Sequence, residues 1–440
     1  MPEIAPLTPD LTAFVSDPSQ PELRLSSLSA RLIFSEILRV AAEIRALKAA
    51  GTAVCDLTVG DFSPRQFPIP ARLAARIREA FDRGETNYPP PTGLPELREA
   101  VRRFYSRELG IDYPVESVLI ASGSRPAIYG LYRTVCDPGD RIVYPVPSWN
   151  NNHYAHLVGG TGVPVACGPQ NRFLPRPEDL APHLAGARLL CLNSPLNPTG
   201  TAFAADDLRA IGQAVLAENE SRERRGERPL YVMYDQVYWT LCFGDTRHVT
   251  PPGLLPELAR YTVLIDGVSK AFAATGLRVG WAVGPADLIA RMTTLLAHIG
   301  AWAPRPEQAA TAAYLEEASR DEFRTSFPGS VLARLDRLHS GLQEMKARGL
   351  PVESLPPAGA IYLSARIHPF GRRTRAGGVL RSNEDVRRYV LEQAAFAVVP
   401  FQAFGVPDDS GWFRLSVGAV GEAEIEAALP RLERALAALA

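Results

Sequence analysis

The chain has 440 residues, 46% of them hydrophobic and 22% charged, with a formal net charge of −1. That length suits two domains, or a large domain with a smaller one. The near-zero charge excludes a general pull toward nucleic acid or anionic membrane, and no apolar run reaches the roughly 20 residues that span a bilayer.

The first stretch, "MPEIAPLTPDLTAFVSDPSQPELRL", is proline-rich and acidic and lacks the basic start and apolar core of a signal peptide. It reads as an N-terminal arm. "SSLSARLIFSEILRVAAEIRALKAAG" then reads as one helix ended by Gly51, followed by a short strand, "AVCDLTVG". "PARLAARIREAFDRG" and "LPELREAVRRFYSRELG" are amphipathic helices stopped by glycine. Strands and helices alternate after that. The strand candidates are "SVLIAS", "RIVYP", "GVPVAC", "ARLLCLN", "PLYVMYD", "YTVLIDG" and "VGWAVG". Continuous apolar strands separated by helices predict a mostly parallel seven-stranded sheet, covered on both faces. The run "ENESRERRGERP" reads as a solvated helix end and loop. After a helical stretch from about residue 286 to 348, "AIYLSARI", "FAVVP" and "GWFRLSVG" predict a small sheet, and "EAEIEAALPRLERALAAL" a terminal helix.

The fold class is therefore α/β. A large domain over residues 65–325 is joined by a small α+β domain built from both chain ends, residues 1–64 and 326–440. The cysteines are Cys55, Cys136, Cys167, Cys191 and Cys242; they are odd in number, scattered, and free of C-x-x-C spacing. Reduced thiols and a cytoplasmic location are the expectation.

Ligands of open α/β sheets bind beyond the carboxyl ends of the strands. After "SVLIA" come Ser122, Gly123 and Ser124, opening a helix whose free N–H groups suit a phosphate; a plain strand–helix turn fits equally well. After "RIVYP" comes Trp149, either an aromatic plate or a packing residue. After "ARLLCL" comes "NSPLNPTG" with Asn197, dense in turn residues. "PLYVMYD" ends at Asp235, a helix cap or a carboxylate that meets a cation, with Tyr238 three residues on. Lys270 follows the next strand, and Arg278 follows Lys270. The chain has only three lysines, and the other two, Lys48 and Lys346, sit near glycines that end helices, where a cation suits the helix dipole. A lysine, an acid, a phosphate cradle and an aromatic plate on successive strand ends suit a planar, phosphorylated, cationic heterocycle held as a Schiff base.

With these residues in view, the chain resembles the class I/II aminotransferases, pyridoxal-phosphate enzymes of fold type I and aspartate aminotransferase-like, from about Ser29 to its end. The segments "NYPPPTGLPELREAV", "PSW", "NSPLNPTG", "YDQVY", "SKAFAATGLRVG" and "FRLS" come in the family's order. The resemblance implies pyridoxal 5′-phosphate as cofactor, with Lys270 holding its aldehyde as an imine and then moving the substrate proton. It implies Asp235 on the ring nitrogen, Asn197 and Tyr238 on the ring's phenolic oxygen, and Trp149 stacked on the ring. Ser122, Gly123, Ser124 and Arg278 would hold the phosphate, joined by Tyr88 from a second copy in a homodimer with shared sites. Arg414 would bind the substrate α-carboxylate, with Gly60 shaping that end. A structural ion pair is the other reading of Arg414, because an unpaired guanidinium in an apolar strand is costly.

Three positions depart from the family. Gly267 stands where a phosphate-binding serine is common, Gln236 replaces the glutamate of "DE-x-Y", and Phe401 replaces a glycine. Gly267 leads us to expect weaker hold on the phosphate. The resemblance implies exchange of an amino group between an L-amino acid and a 2-oxo acid. The loop "PSWNNNHY" is similar to the aspartate-type version, which tilts the donor toward aspartate, with His298 and Arg305 the nearest candidates to read a side-chain carboxylate. A lyase or decarboxylase on the same scaffold is the alternative enzyme. A cofactor-sensing regulator would need a basic DNA-binding domain, which this acidic arm does not resemble; neither nucleic acid nor membrane is an expected partner.

Overall fold

The structure, a computed structural model, describes residues 25–32 and 36–440. Two compact units are distinguished, Met1–Phe34 and Ser35–Ala440. The described part of the first holds a four-residue helix, Ser27–Ala30, whose N-cap Ser26 accepts the Ser29 N–H at 3.2 Å. The second begins with the helix Glu36–Ala49. The single helix expected over this stretch is thus two. The arm before Leu25 lies outside the described residues. All three sheets and the longer helices among the described residues belong to the second unit.

The large sheet has seven strands: β1 (Val118–Ala121), β2 (Arg141–Val146), β3 (Thr161–Ala166), β4 (Ala187–Asn193), β5 (Tyr231–Asp235), β6 (Thr262–Gly267) and β7 (Gly280–Val283). Their order is β1-β7-β6-β5-β4-β2-β3. All neighbours run parallel except β7, which is antiparallel to both β6 and β1. Burial explains the continuous apolar strands. Leu190 and Leu192 pack into one core while Leu189 and Cys191 pack into another on the opposite face. The edge strand β3 is mostly exposed, and its sequence, "TGVPVA", tolerates a proline because one side of the strand has no neighbour.

A four-stranded antiparallel sheet forms the second layer: β8 (Val352–Ser354), β9 (Tyr362–Ile367), β10 (Val399–Pro400) and β11 (Trp412–Ser416), ordered β10-β11-β9-β8. Sequence reading missed β8, which has only three residues and no room to show alternation. Cys55–Asp56 pairs in parallel with Phe396–Ala397, so the early "AVCDLTVG" segment joins the late part of the chain. Leu363, Phe413 and Leu415 face a core shared with the helices Phe323–Ala347 and Glu422–Ala437. The opposite face of the sheet turns toward the large sheet, with the Ser364 hydroxyl donating to the Thr199 carbonyl at 2.8 Å. The charged run after residue 218 is less solvated than its composition suggests. Arg222 is buried, pairs with Glu218 at 2.7 Å, and donates to the Leu184 and Arg228 carbonyls.

One buried polar network ties the ends of β5, β6 and β7 together. Asp266 accepts from the Gly267 N–H at 2.7 Å, the Trp239 indole at 2.8 Å and the Tyr105 hydroxyl at 3.1 Å. Tyr105 in turn receives the Trp281 indole at 2.9 Å and the Gln236 amide at 3.0 Å. With both acceptor positions of its hydroxyl filled by obligate donors, Tyr105 must give its own proton to Asp266. Burial pushes the Asp266 carboxyl up, and the three donors oppose that shift. The carboxyl is raised to about 8 even with those donors, but a carboxyl proton here would find only donors around it, so the hydrogen-bond geometry favours the anion over that shift. Gln236 also has a reason: a glutamate at this fully buried position would bring a second carboxylate to the same hydroxyl. Asp266→Asn is expected to cost about 3 kcal/mol, because its amide places an N–H against donors. Urea unfolding measures it, and a loss below about 0.5 kcal/mol would contradict the anionic assignment.

Candidate active site

A cavity of about 760 Å³ opens between the two sheets, beyond the carboxyl ends of β4, β5 and β6. It brings together Gly60, Ser124, Trp149, Asn197, Asp235, Tyr238, Lys270, Arg278 and Arg414. Their sequence positions are far apart, and the strand ends collect them.

Lys270 sits in the short helix Val268–Ala271, directly after β6. Its Nζ donates to the Gly60 carbonyl at 2.7 Å, near the rings of Phe62 and Tyr238 at 5.5 and 5.8 Å. No carboxylate among the described residues pairs with it. By contrast, Lys48 is bound to Asp56 at 3.0 Å and Lys346 to Glu353 at 3.1 Å. Burial lowers the Lys270 ammonium to about 8; Asp61 opposes the shift, and Arg414, Arg125 and Arg278 add to it. A free amine is therefore within reach near neutral pH.

Asp235 ends β5, and its Oδ1 accepts the Val237 N–H at 3.2 Å. A turn comes next in the chain, so Asp235 caps no helix. Burial raises its carboxyl to about 6, against the pull of the Val237 donor and Lys270. A cationic partner in the cavity would reverse that shift. The Tyr238 hydroxyl is 2.6 Å from the Tyr362 hydroxyl of β9, a residue that sequence reading passed over. Asn197 is buried and its Oδ1 accepts from Arg414 Nη1 at 3.1 Å.

Arg414 is 1% exposed on β11. Its Nη2 donates to the Thr58 carbonyl at 2.6 Å, and its guanidinium lies over the rings of Tyr362 and Phe404, 4.7 and 4.8 Å from their centres. Among the described residues it has no carboxylate partner, which removes the structural ion-pair reading. Its Nε is a buried donor with no partner. Such a group is costly unless an anion meets it.

The helix Ser124–Val135 begins with no side-chain cap, leaving its first N–H groups free. Its N-cap Gly123 has φ 95°, and a Cβ there would stand 2.2 Å from Arg278 Nη2. The glycine thus keeps the arginine beside the helix start. Arg278 donates to the carbonyls of Thr275 at 2.8 Å and Ser122 at 3.2 Å, with no carboxylate bound among the described residues. Ser122 and Gly123 adjoin the cavity through this arginine, and Ser124 lines it. Gly267 also finds its reason: a Cβ there would lie 2.7 Å from the Val279 carbonyl of the neighbouring segment. Ser269, two residues on, lines the cavity and offers a hydroxyl that the sequence reading did not count.

Three expected residues lie elsewhere. Tyr88 is 81% exposed and packs edge-on against Trp302 at 5.3 Å. Arg305 is bound to Glu85 at 2.6 Å, and His298 ends an outer helix; neither lines the cavity of its own chain. Two cations that do line it were missed, Arg45 and Arg125. Arg125 lies over the Trp149 ring at 4.4 Å. Its only signal was its place in "SGSRP", read there as a helix start. The cavity wall carries five cations (Arg45, Arg125, Lys270, Arg278, Arg414) against two carboxylates, Asp61 and Asp235. A single amine, an acid for a ring nitrogen, a helix start beside an arginine, and a guanidinium with an unmet donor fit pyridoxal 5′-phosphate together with a carboxylate substrate.

Comparison with known proteins agrees. Residues 52–432 match the family model described as aminotransferase class I and II. An aspartate aminotransferase of Rhizobium meliloti (strain 1021) is 32% identical, over 94% of this chain and 96% of its own. One from Geobacillus stearothermophilus is also 32% identical, over 95% of this chain and 100% of its own. The crystal structure of the Rhizobium meliloti aspartate aminotransferase superposes with a TM-score of 0.86 at 30% identity, covering 94% of this chain and 99% of that one. This chain therefore belongs to the aminotransferase class I and II family, and it is a pyridoxal-phosphate-dependent aminotransferase.

Proposed function

We infer that the cavity moves an amino group between L-aspartate and a 2-oxo acid, with Lys270, Asp235 and Tyr238 as its catalytic residues. The observation that carries this reading is the surplus of five cations over two carboxylates around a single unpaired lysine. Pyridoxal phosphate, when bound, supplies an aldehyde carbon for the amino group and a ring that draws electrons from the substrate α-carbon. Ser124, Arg278 and the N–H groups beside Ser122 and Gly123 hold its phosphate. Asp235 keeps the ring nitrogen protonated, Asn197 and Tyr238 bond the phenolic oxygen, and Trp149 covers the ring. Arg414 takes the substrate α-carboxylate through its unmet Nε, and Gly60 closes that end. Lys270 Nζ, once freed, takes the proton from the substrate α-carbon. The 65–325 segment serves as the cofactor-binding domain, and the flanking segments, which carry Gly60 and Arg414, form the small one.

The choice of aspartate rests on Arg125 and Arg45, which add positive charge to the cavity besides that of Arg414, and on the names of the relatives. A dicarboxylate meets a cation at each end, whereas a monocarboxylate leaves one unmet. No helix among the described residues is long and apolar enough to cross a membrane. The five free cysteines favour work in the cytoplasm. A panel of amino donors with 2-oxoglutarate, scored for new glutamate and for released ammonia or pyruvate, tests the reaction. Aspartate should lead the panel. Arg125→Gln should raise KM for aspartate about tenfold and leave alanine nearly unchanged, with Arg125→Lys in between. Equal losses for both donors would remove Arg125 as the reader, and release of ammonia would favour a lyase.

The working form is a homodimer with shared sites. Tyr88 supports this, since its ring is exposed to solvent in the single chain although its edge meets Trp302. In a dimer its hydroxyl serves the phosphate of the partner. Mixed dimers of a Lys270→Ala chain and a Tyr88→Phe chain should contain one native site, and their activity should exceed the mean of the two parents. An activity equal to that mean, with Tyr88→Phe itself impaired, would place Tyr88 in its own chain's site.

A further inference from the structure

The contact between Tyr238 and Tyr362 is prepared by the backbone on both sides. Tyr238 lies in the turn after β5, and Tyr362 begins β9. Their segments are already joined next to the two side chains. The Phe243 N–H donates to the Ala358 carbonyl at 3.0 Å, and the Ala360 N–H to the Leu241 carbonyl at 2.8 Å. Ala360 makes its bond from φ 58°, in the left-handed region that a side-chain-bearing residue seldom adopts. Gly200, three residues after Asn197, has φ 71°, and a Cβ there would stand 2.0 Å from the Tyr362 carbonyl oxygen. The strand that carries Tyr362 is thus seated on the turn that carries Tyr238 and on the loop that carries Asn197.

Gly60 is a second, independent sign. It is not among the residues of positive φ, so its backbone does not demand a glycine. A Cβ there would stand 2.9 Å from the Tyr362 hydroxyl oxygen, but 3.8 Å from the ring carbon that bears it and 3.7 Å from Arg414 Nη1. Only the first approach is too close, so the glycine makes room for a hydroxyl and not for a ring. The Thr58 and Val59 carbonyls hold the segment in place, accepting from Arg414 Nη2 and from the Ser416 hydroxyl, both at 2.6 Å.

Each of the two tyrosines has one hydroxyl proton to give. Both side chains are buried, and burial raises both hydroxyls above their ordinary range, so both protons are present at neutral pH. Their 2.6 Å contact uses one of the two. Among the described residues neither hydroxyl has a further hydrogen-bond partner, and both tyrosines line the catalytic cavity. The pair therefore presents one O–H to the cavity, and the direction of the shared bond decides which tyrosine presents it.

We propose that Tyr362 is a positioning residue for the reaction: its hydroxyl donates to the Tyr238 oxygen and so turns the Tyr238 proton toward the phenolic oxygen of the cofactor. The inference rests on the role given above to Tyr238. A hydroxyl that accepts a bond is also a stronger donor, because hydrogen bonds in a chain polarise one another. Tyr362 thus sets both the direction and the strength of the Tyr238 bond without touching the cofactor. The Arg414 guanidinium lies over the Tyr362 ring at 4.7 Å, and phenylalanine keeps that ring, so Tyr362→Phe isolates the hydroxyl.

The visible absorbance of the cofactor-loaded enzyme, followed as pH is varied, tests this. It reports whether the nitrogen that joins the cofactor to Lys270 carries a proton. Loss of that proton leaves the phenolic oxygen with its full negative charge, which a Tyr238 donor stabilises. A weaker donor stabilises it less, so the nitrogen keeps its proton to higher pH. Tyr238→Phe should raise the midpoint by about one pH unit or more, and Tyr362→Phe by about half a unit, roughly threefold in proton affinity. The double variant should match Tyr238→Phe alone, since Tyr362 acts only through Tyr238. Both substitutions keep the ring and its packing, and one bound cofactor per chain checks the fold. An unchanged midpoint in Tyr238→Phe would remove the reading of Tyr238 and this proposal with it. A shift in Tyr238→Phe with none in Tyr362→Phe, or a double variant that shifts by the sum of the two, would leave Tyr238 in its role and overturn that of Tyr362.

Discussion

The structure turns on a buried amine without a counter-ion. Lys270 is set at the end of a fully buried strand, and its closest polar partner is a backbone carbonyl. Desolvation is tolerable there because the lysine can shed its proton, which an arginine cannot. A carboxylate in contact would stabilise the ammonium and remove the free amine. The surroundings therefore supply arginines: Arg414, Arg125 and Arg278 all push the Lys270 proton off. The same arginines suit a phosphate and a carboxylate. On the proposed reading, one electrostatic arrangement frees the amine and recruits its ligands.

The sheets exist to hold that arrangement. Parallel strands point their carboxyl ends the same way, so Asn193, Asp235 and Gly267 end side by side. The antiparallel β7 closes against β6 so tightly that Gly267 can carry no side chain. The Asp266 network fixes the strand ends from beneath, and Gln236 belongs to that network and not to the cavity. The small sheet then brings Arg414 and Tyr362 across. Phe404 and Tyr362 both set a ring against the guanidinium, which helps to hold its unmet Nε in place.

The large sheet was legible because strands buried on both faces read as unbroken apolar runs, and the candidate site because turn residues and polar groups gather at their ends. Lys270 stood out in a chain that writes nearly all its positive charge as arginine. What stayed hidden depends on tertiary meetings. Tyr362 reaches Tyr238 across 124 residues, and nothing in "AIYLSARI" marks it. Arg125 reads as one arginine among many until the Trp149 ring appears beneath it. Gly267 read as a lost phosphate ligand because spacing cannot show the backbone that crowds it. Phe401 read only as a departure from the family's glycine, and the sequence could not show that it packs into a buried aromatic cluster with Phe173, Phe404 and Trp412.

The central claim is that Lys270 is the amine that receives the cofactor. Reduction of the loaded enzyme with borohydride, followed by proteolysis and mass spectrometry, measures this directly. The account predicts one reduced cofactor per chain, on the peptide containing Lys270, with none on Lys48 or Lys346, whose ammonium groups are engaged by Asp56 and Glu353. Cofactor fixed to either of those lysines, or a Lys270→Ala chain that still fixes one equivalent, would contradict it.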